Sequence, residues 1–586
     1  MNFLRNLLAA IIGSLIAFAI LFIMFMIFVG LVSSAEDGMV IRENSILELQ
    51  LQQPINDYVG DNEADPFAGF FGQAQGLDEI LHAIKVAKND DNIKAISINN
   101  SFMMAGMAQT QAIRKELAGF KQSGKLIYAF ADYYMQKDYY LSSVADKVYL
   151  NPVGGMDFRG LSTEVLFYKD LQEKTGVKME VIRHGKYKSA VEPFLANEMS
   201  DANRTQIKEL LESIWGAMIS EISEGRKISE ENLNIIADTL GGRLPKHAKK
   251  AGLVDDLLFL DEYEAKLKEA VGLSPQVDLE LISLQEYARF ANKKKINKGK
   301  DKIAVIFAQG EILYGEGDQN IIGQGIITKA IIKARNDAAV KAIVLRVNSP
   351  GGSALTSDII WREIELAKEK KPVVVSMGNV AASGGYYIAV GADKIFAEPT
   401  TITGSIGVFG TVPNIHGLAA DIGVNAEQVG TNENSVEYSL FEPMTTGFRS
   451  VVKEGVEQVY DTFLERVAAG RNITVEKADS LAQGRVWSGV DAKKIGLIDE
   501  LGTLDDAIAA AAKLAEMSDF GVRKYPKYKT GLEKFMEDMG GIKANIGKKW
   551  MKEELGNEAY RLLQQMKLTV QQKGIYTRMP YLLEIK

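Results

Sequence analysis

The stretch Val373-Val-Val-Ser-Met-Gly-Asn-Val-Ala-Ala-Ser383-Gly-Gly-Tyr-Tyr-Ile-Ala-Val-Gly391 decides how the rest of the chain is read. β-Branched residues lead, small residues make a turn, and the run opening at Ser383-Gly-Gly reads as a helix. A serine at that turn sits at a helix N-terminus, where free N–H groups and the positive end of the helix dipole stabilise negative charge. Ala381, Ala382, Gly384 and Gly385 leave its hydroxyl unshielded and let a carbonyl approach the backbone closely. Taken alone, the pattern also fits an ordinary Ser cap before a glycine turn.

A second turn upstream weighs against that plainer reading. Lys341-Ala-Ile-Val-Leu-Arg-Val347 reads as a strand, and Asn348-Ser-Pro-Gly351-Gly352-Ser353 follows it directly. In a βαβ pattern this is where the carboxyl end of a parallel sheet presents its site. A glycine pair can aim two backbone N–H groups at one point, which is what an oxyanion hole needs.

The chain of 586 residues is too long for one core, so two or more domains are expected. It has no cysteine, which excludes disulfides, zinc thiolate sites and a Cys nucleophile. Its net charge of −8 gives no nucleic-acid footprint. Leu7 to Val32 is an uncharged apolar run, long enough as a helix to cross a hydrocarbon core of about 30 Å. It exceeds the apolar region of a signal peptide, although Ser33-Ser-Ala35 resembles a weak cleavage site, and we read it as an uncleaved anchor. Arg5 precedes the run and Glu36 and Asp37 follow it, so the positive-inside rule places residues from 36 onward outside the cytoplasm.

Residues 45 to 260 read as an altered copy of residues 303 to 505. Ala87-Lys-Asn-Asp-Asp-Asn-Ile-Lys-Ala-Ile96 matches Ala334-Arg-Asn-Asp-Ala-Ala-Val-Lys-Ala-Ile343 at an offset of 247, and Ala145-Asp-Lys-Val matches Ala392-Asp-Lys-Ile at the same offset. This is a duplicated domain, not an array of short repeats. At that offset Ser383 faces Gln136, Gly384 and Gly385 face Lys137 and Asp138, and Pro350-Gly-Gly352 faces Met103-Met-Ala105. The first copy has lost the serine and the glycine turn. It carries instead Arg183-His-Gly-Lys-Tyr-Lys188-Ser-Ala-Val-Glu-Pro-Phe194, where the matching stretch Gln428 to Met444 holds no lysine. The two copies therefore read as having divided one site between them.

These residues carry a family resemblance. The chain resembles the signal peptide peptidase A family, in its long form with two tandem Clp protease/crotonase-like domains, over most of residues 1 to 510. The motifs are Asn348-Ser-Pro-Gly-Gly-Ser353, Ala382-Ser-Gly-Gly-Tyr386, Thr403-Gly-Ser-Ile-Gly407 and Tyr187-Lys-Ser-Ala-Val-Glu-Pro-Phe194. The resemblance implies an α/β fold behind an N-terminal transmembrane helix, with Ser383 as nucleophile, Lys188 as general base and Ser405 hydrogen-bonding the lysine. Asn348 stands where the family commonly has Asp. Physical chemistry adds its own demands: a serine needs a base, a lysine can serve only when neutral, and burial must then lower its pKa. Gly384 and one of Gly351 and Gly352 are expected to supply the oxyanion N–H groups. Lys186 is the decoy beside Lys188, and His184 and His416 are the weaker base candidates.

The expected organisation is an anchor over 1–35, a lysine-donating domain over 36–285, a basic linker over 286–302, a serine-donating domain over 303–515 and a tail over 516–586. The tail reads as helical around Leu532 to Met539 and Lys549 to Met566 and as extended from Met579 to Ile585. The resemblance implies a serine endopeptidase that degrades cleaved signal peptides and similar apolar peptides at the inner membrane. It further implies a single-pass anchor, catalytic domains on the periplasmic side, a homotetramer, and neither metal nor organic cofactor. Two other classes stand beside it: an acyl-CoA-processing enzyme on the crotonase fold, and a non-catalytic membrane scaffold.

Overall fold

The computed structural model describes residues 2–35, 41–60, 75–294, 299–432, 435, 438–528 and 575–578. A helix, Asn2–Ala35, leads the chain. Its segment Arg5–Met24 has a mean hydropathy of 2.8 and is not buried against the rest of the molecule, so by length and composition it can cross a membrane.

Two α/β units follow. In the first, the strands Asp256–Leu257, Lys147–Met156, Leu126–Tyr134, Ile93–Asn99, Ser45–Leu49 and Leu281–Ser283 lie side by side, all parallel. The second unit repeats the plan with Ile402–Gly404, Val373–Ala382, Val340–Ser349, Lys302–Gln309 and Gly521–Tyr525 as parallel neighbours. Val486–Ser488 closes one edge antiparallel. Strands buried on both faces read as continuous apolar runs, and Val373-Val-Val and Ile343-Val-Leu are such runs. Helices such as Ala354–Lys368 and Thr446–Arg471 cover the sheet, each opening on a side-chain cap, Ser353 to the Thr356 N–H and Thr445 to the Phe448 N–H.

Two expected boundaries move. Residues 286–292 belong to the helix Leu284–Asn292, whose Leu284, Tyr287 and Ala291 are buried, so the linker begins after it. The strand Gly521–Tyr525 pairs with Lys302–Gln309 just as Leu281–Ser283 pairs with Ser45–Leu49, so the second unit runs past residue 515. Each copy thus closes its sheet with a strand returning from its C-terminal side. The expected helices within residues 531–574 and the extended end from Met579 lie outside the described residues.

A third sheet joins the two units. Its strand order is Ile321–Gly323, Glu311–Leu313, Gly351–Ser353, Ile575–Arg578, Val408–Asn414 and Lys178–His184. Lys178–His184 comes from the first unit and pairs antiparallel with Val408–Asn414 of the second through seven residue pairs. Ile182 on that strand is part of the second unit's apolar core. This ladder carries the segment after His184 into the other unit.

Candidate active site

The strand Val373–Ala382 ends in the middle of the sheet, and the helix Gly384–Ala389 starts immediately after Ser383. The reversal forces Ser383 to φ +55° and ψ −116°, a conformation that costs a non-glycine residue about 1–3 kcal/mol and persists only where surroundings over-determine it. Its N–H donates to the Gly404 carbonyl at 2.8 Å, and its carbonyl accepts from the Tyr387 N–H at 2.8 Å. The hydroxyl is thereby pointed by a fixed backbone.

Four residues beyond the end of the inter-unit ladder, Lys188 enters the second unit fully buried. Its Nζ lies 3.0 Å from Ser383 Oγ, 3.0 Å from the Ser405 carbonyl oxygen and 3.1 Å from Ser405 Oγ. All three residues have 0 % exposure. Burial alone pulls the lysine well below its ordinary pKa. The one π-face near it is Phe409, 5.9 Å from Nζ. A cation–π contact at that distance is worth about 0.5–2 kcal/mol, less than the several kcal/mol needed to hold an unpaired ammonium out of water, so the neutral amine wins.

Neutrality gives the geometry its chemistry. An uncharged amine has two N–H donors and one lone pair, and Ser405 offers two acceptors, its carbonyl and its hydroxyl oxygen. The lone pair is then left for the Ser383 O–H. Ser405 itself holds φ +50°, fixed by its N–H donating to the Arg485 carbonyl at 2.6 Å.

Other sequence candidates are placed apart from this cluster or beside it. Lys186 is exposed, its amine 5.5 Å from the Tyr187 ring centroid. His184 stacks on Tyr460 at 4.1 Å, and His416 bonds to the Phe441 carbonyl. Among the described residues no histidine hydrogen-bonds Ser383. Gly351 and Gly352 adopt φ +97° and +154°, and a Cβ on Gly352 would lie 2.0 Å from the Ile312 carbonyl oxygen, so the turn needs glycine there. The Gly351 N–H donates to Ser349 Oγ at 3.1 Å, and Gly384 opens the helix after Ser383.

Sequence reasoning missed the bed under Lys188. The Tyr187 N–H donates to the Gln483 carbonyl at 2.8 Å, and Gly484, at φ +80°, lies so close that a Cβ would sit 2.6 Å from the Lys188 backbone. The only sequence signal was a Gln-Gly turn between a helix and a strand, which is common.

In the first unit the matching positions are plugged. Gln136 accepts from the Arg159 and Gly160 N–H groups, and the Asp138 carboxylate accepts from the Phe102 and Met103 N–H groups at 3.0 Å. Lys137 donates to the Ala105 carbonyl. Backbone donors that face the glycine turn of the other copy are satisfied internally by a carboxylate.

The comparisons with known proteins fit this division. The profile of peptidase family S49 matches residues 119–274 and again residues 365–518, once in each unit. Protease 4 of Haemophilus influenzae is 38% identical over 74% of this chain and 72% of its own length. The chain belongs to peptidase family S49. The S49 match is shared with a plant relative, "Serine protease SPPA, chloroplastic" of Arabidopsis thaliana, 31% identical over 81% of this chain and 70% of that one. A shorter relative, "Putative signal peptide peptidase SppA" of Enterococcus faecium, is 35% identical over 39% of this chain and 68% of its own. As a serine protease of family S49, the chain acts on peptides, and its two S49 matches restate the duplication visible in the sheets.

Proposed function

We propose that this S49 protease is a membrane-anchored endopeptidase in which Ser383 is the nucleophile and Lys188 the general base, hydrolysing apolar peptides such as cleaved signal peptides. The observation that carries the reading is the buried amine of Lys188, 3.0 Å from Ser383 Oγ and without a carboxylate among the causes that set its pKa. The neutral amine takes the Ser383 proton as Oγ attacks the scissile carbonyl. The resulting ammonium is stabilised by the Ser405 carbonyl and hydroxyl oxygens, the role the third member plays in other triads. It then protonates the leaving amine, and water repeats the cycle on the acyl-enzyme. Gly384 with Gly351 or Gly352 supplies the oxyanion N–H groups, about 3 kcal/mol per donor.

Membrane attachment through Leu7 to Val32 is supported by the exposed apolar helix, and an extracytoplasmic catalytic region by the charges flanking it. A homotetramer of domains 1–35, 36–285 and 303–515, with the tail beyond, belongs to the same reading. The relative named a putative signal peptide peptidase supports the choice of substrate.

The test is hydrolysis of an apolar peptide together with fluorophosphonate labelling, for the full chain and for Ser383→Ala, Lys188→Ala and Lys186→Ala. Turnover is expected to vanish in the first two and to survive in the third. Full activity of Lys188→Ala would move the base elsewhere.

A further inference from the structure

The third sheet contains a strand that the catalytic reading does not use. Ile575–Arg578 lies antiparallel to Gly351–Ser353 on one side, with Gly351 opposite Arg578, Gly352 opposite Thr577 and Ser353 opposite Tyr576. On its other side it lies antiparallel to Val408–Asn414, with Phe409 opposite Tyr576 and Gly410 opposite Ile575. The helix that starts after Ser383 also packs against it.

The outer edges of its two neighbours are already taken. Gly351–Ser353 pairs outward with Glu311–Leu313, and Val408–Asn414 pairs outward with Lys178–His184. With Ile575–Arg578 lifted out, two strand edges would face each other across two strand spacings, about 9–10 Å, with their N–H and C=O groups unpaired. Such a gap accepts one extended peptide by strand addition. It is also where a peptide substrate has to lie, because one wall is the glycine turn and the strand between the walls packs on the helix that begins at Ser383. In this state Ser383 and Lys188 are sealed from solvent.

We infer that Ile575–Arg578 is a resident occupant of the substrate slot, holding the protease idle until an extended peptide displaces it. This rests on the reading of Ser383 as the nucleophile. The occupant is held by three residue pairs on one side and two on the other, against seven in the ladder that joins the two units. Its grip is therefore the weaker of the two, and it can exchange while the lysine-bearing strand stays in place. A segment of the same chain competes at high effective concentration, so a peptide must itself pair along both edges to enter.

The experiment compares the full chain with two variants, Thr577→Pro and a chain ended after Gly574. Proline removes a backbone donor and is not tolerated inside a sheet, so it disrupts the occupant without touching the slot. Two readings are taken: the second-order rate of fluorophosphonate labelling, and kcat/KM for an internally quenched apolar peptide. Both are expected to rise about tenfold or more, the ratio for a slot open roughly a tenth of the time. A synthetic peptide spanning Lys573 to Pro580, added to the shortened chain, is expected to raise KM while leaving kcat unchanged. Should labelling and turnover depend on Ser383 yet be equal or lower in both variants, the inference fails alone and the strand is a fixed wall of the site. If labelling survives Ser383→Ala, the reading of the nucleophile fails and takes the inference with it.

Discussion

Lys188 is a group whose function and whose cost to the fold have one cause. Burial keeps its amine neutral, and neutrality is what permits it to accept a proton from Ser383. Because only the base form is competent, kcat/KM is expected to rise with pH with unit slope and to level off above the lysine's folded pKa; a flat profile from about pH 6 to 10 would contradict a lysine base. Stability follows the same titration. The folded-state pKa lies below that of the unfolded chain, so between the two values the unfolded chain binds a proton that the folded chain does not. Folding free energy therefore falls as pH drops through that window. Lys188→Met keeps the length and volume of the side chain and removes the titration. The variant is expected to be inactive yet to melt several degrees higher than the parent at neutral pH, with the difference shrinking toward pH 11, which thermal unfolding at a series of pH values will read.

At the scale of elements, much of the architecture could be read from apolar runs and turn residues. Val373 to Val375, the helix opening at Gly384 and the cap at Ser353 follow from local physics, and the helix expected from Ser357 is found as Ala354–Lys368. The strand Ile575–Arg578 was not legible, because four residues carry no periodicity and their partners lie more than 160 positions away. Nor was the packing of the turn Gln483-Gly484 beneath Lys188, since nothing in a Gln-Gly pair names what it will touch. That turn yields a sharp test. In Gly484→Ala a Cβ would meet the Lys188 backbone at 2.6 Å, and φ +80° disfavours any L side chain, so the lysine segment must shift. A displacement near 1 Å costs on the order of a hundredfold in rate. We expect kcat/KM to fall by about that factor while the protein stays folded by circular dichroism; retention of activity would show that the turn does not set the lysine's position.

The molecule as a whole works only with its two units docked, since serine and lysine come from different copies. Duplication was visible in the sequence through the constant offset, and the loss of Ser383's counterpart at Gln136 told which copy kept the nucleophile. What the offset could not reveal is how the copies hold together. Asp57, from the segment before the first unit's helices, has 2 % exposure and receives Arg346 Nε at 2.7 Å, Gln109 Nε2 at 2.9 Å and Asn348 Nδ2 at 3.1 Å. Arg346, at 3 % exposure, also donates to Ser376 Oγ and the Met377 carbonyl. Asn348 thus has a reason to be an amide here: it donates to Asp57, where an aspartate would place a second negative charge. Removing one partner of a buried pair leaves the other charged and unsolvated, at about 3–5 kcal/mol. The exposed pair Lys329–Glu316, with both side chains more than 60 % accessible, is worth about 0–1 kcal/mol by contrast. Asp57→Ala is therefore expected to lower the denaturant midpoint markedly and Glu316→Ala hardly at all. The double change Asp57→Leu with Arg346→Met should recover only part of the loss, because Gln109 and Asn348 still lack their acceptor. Since the site needs both units, fluorophosphonate labelling of Asp57→Ala should disappear at a lower denaturant concentration than in the parent; equal midpoints for the two single variants would mean that the ladder at Lys178–His184, and not this pair, holds the copies together.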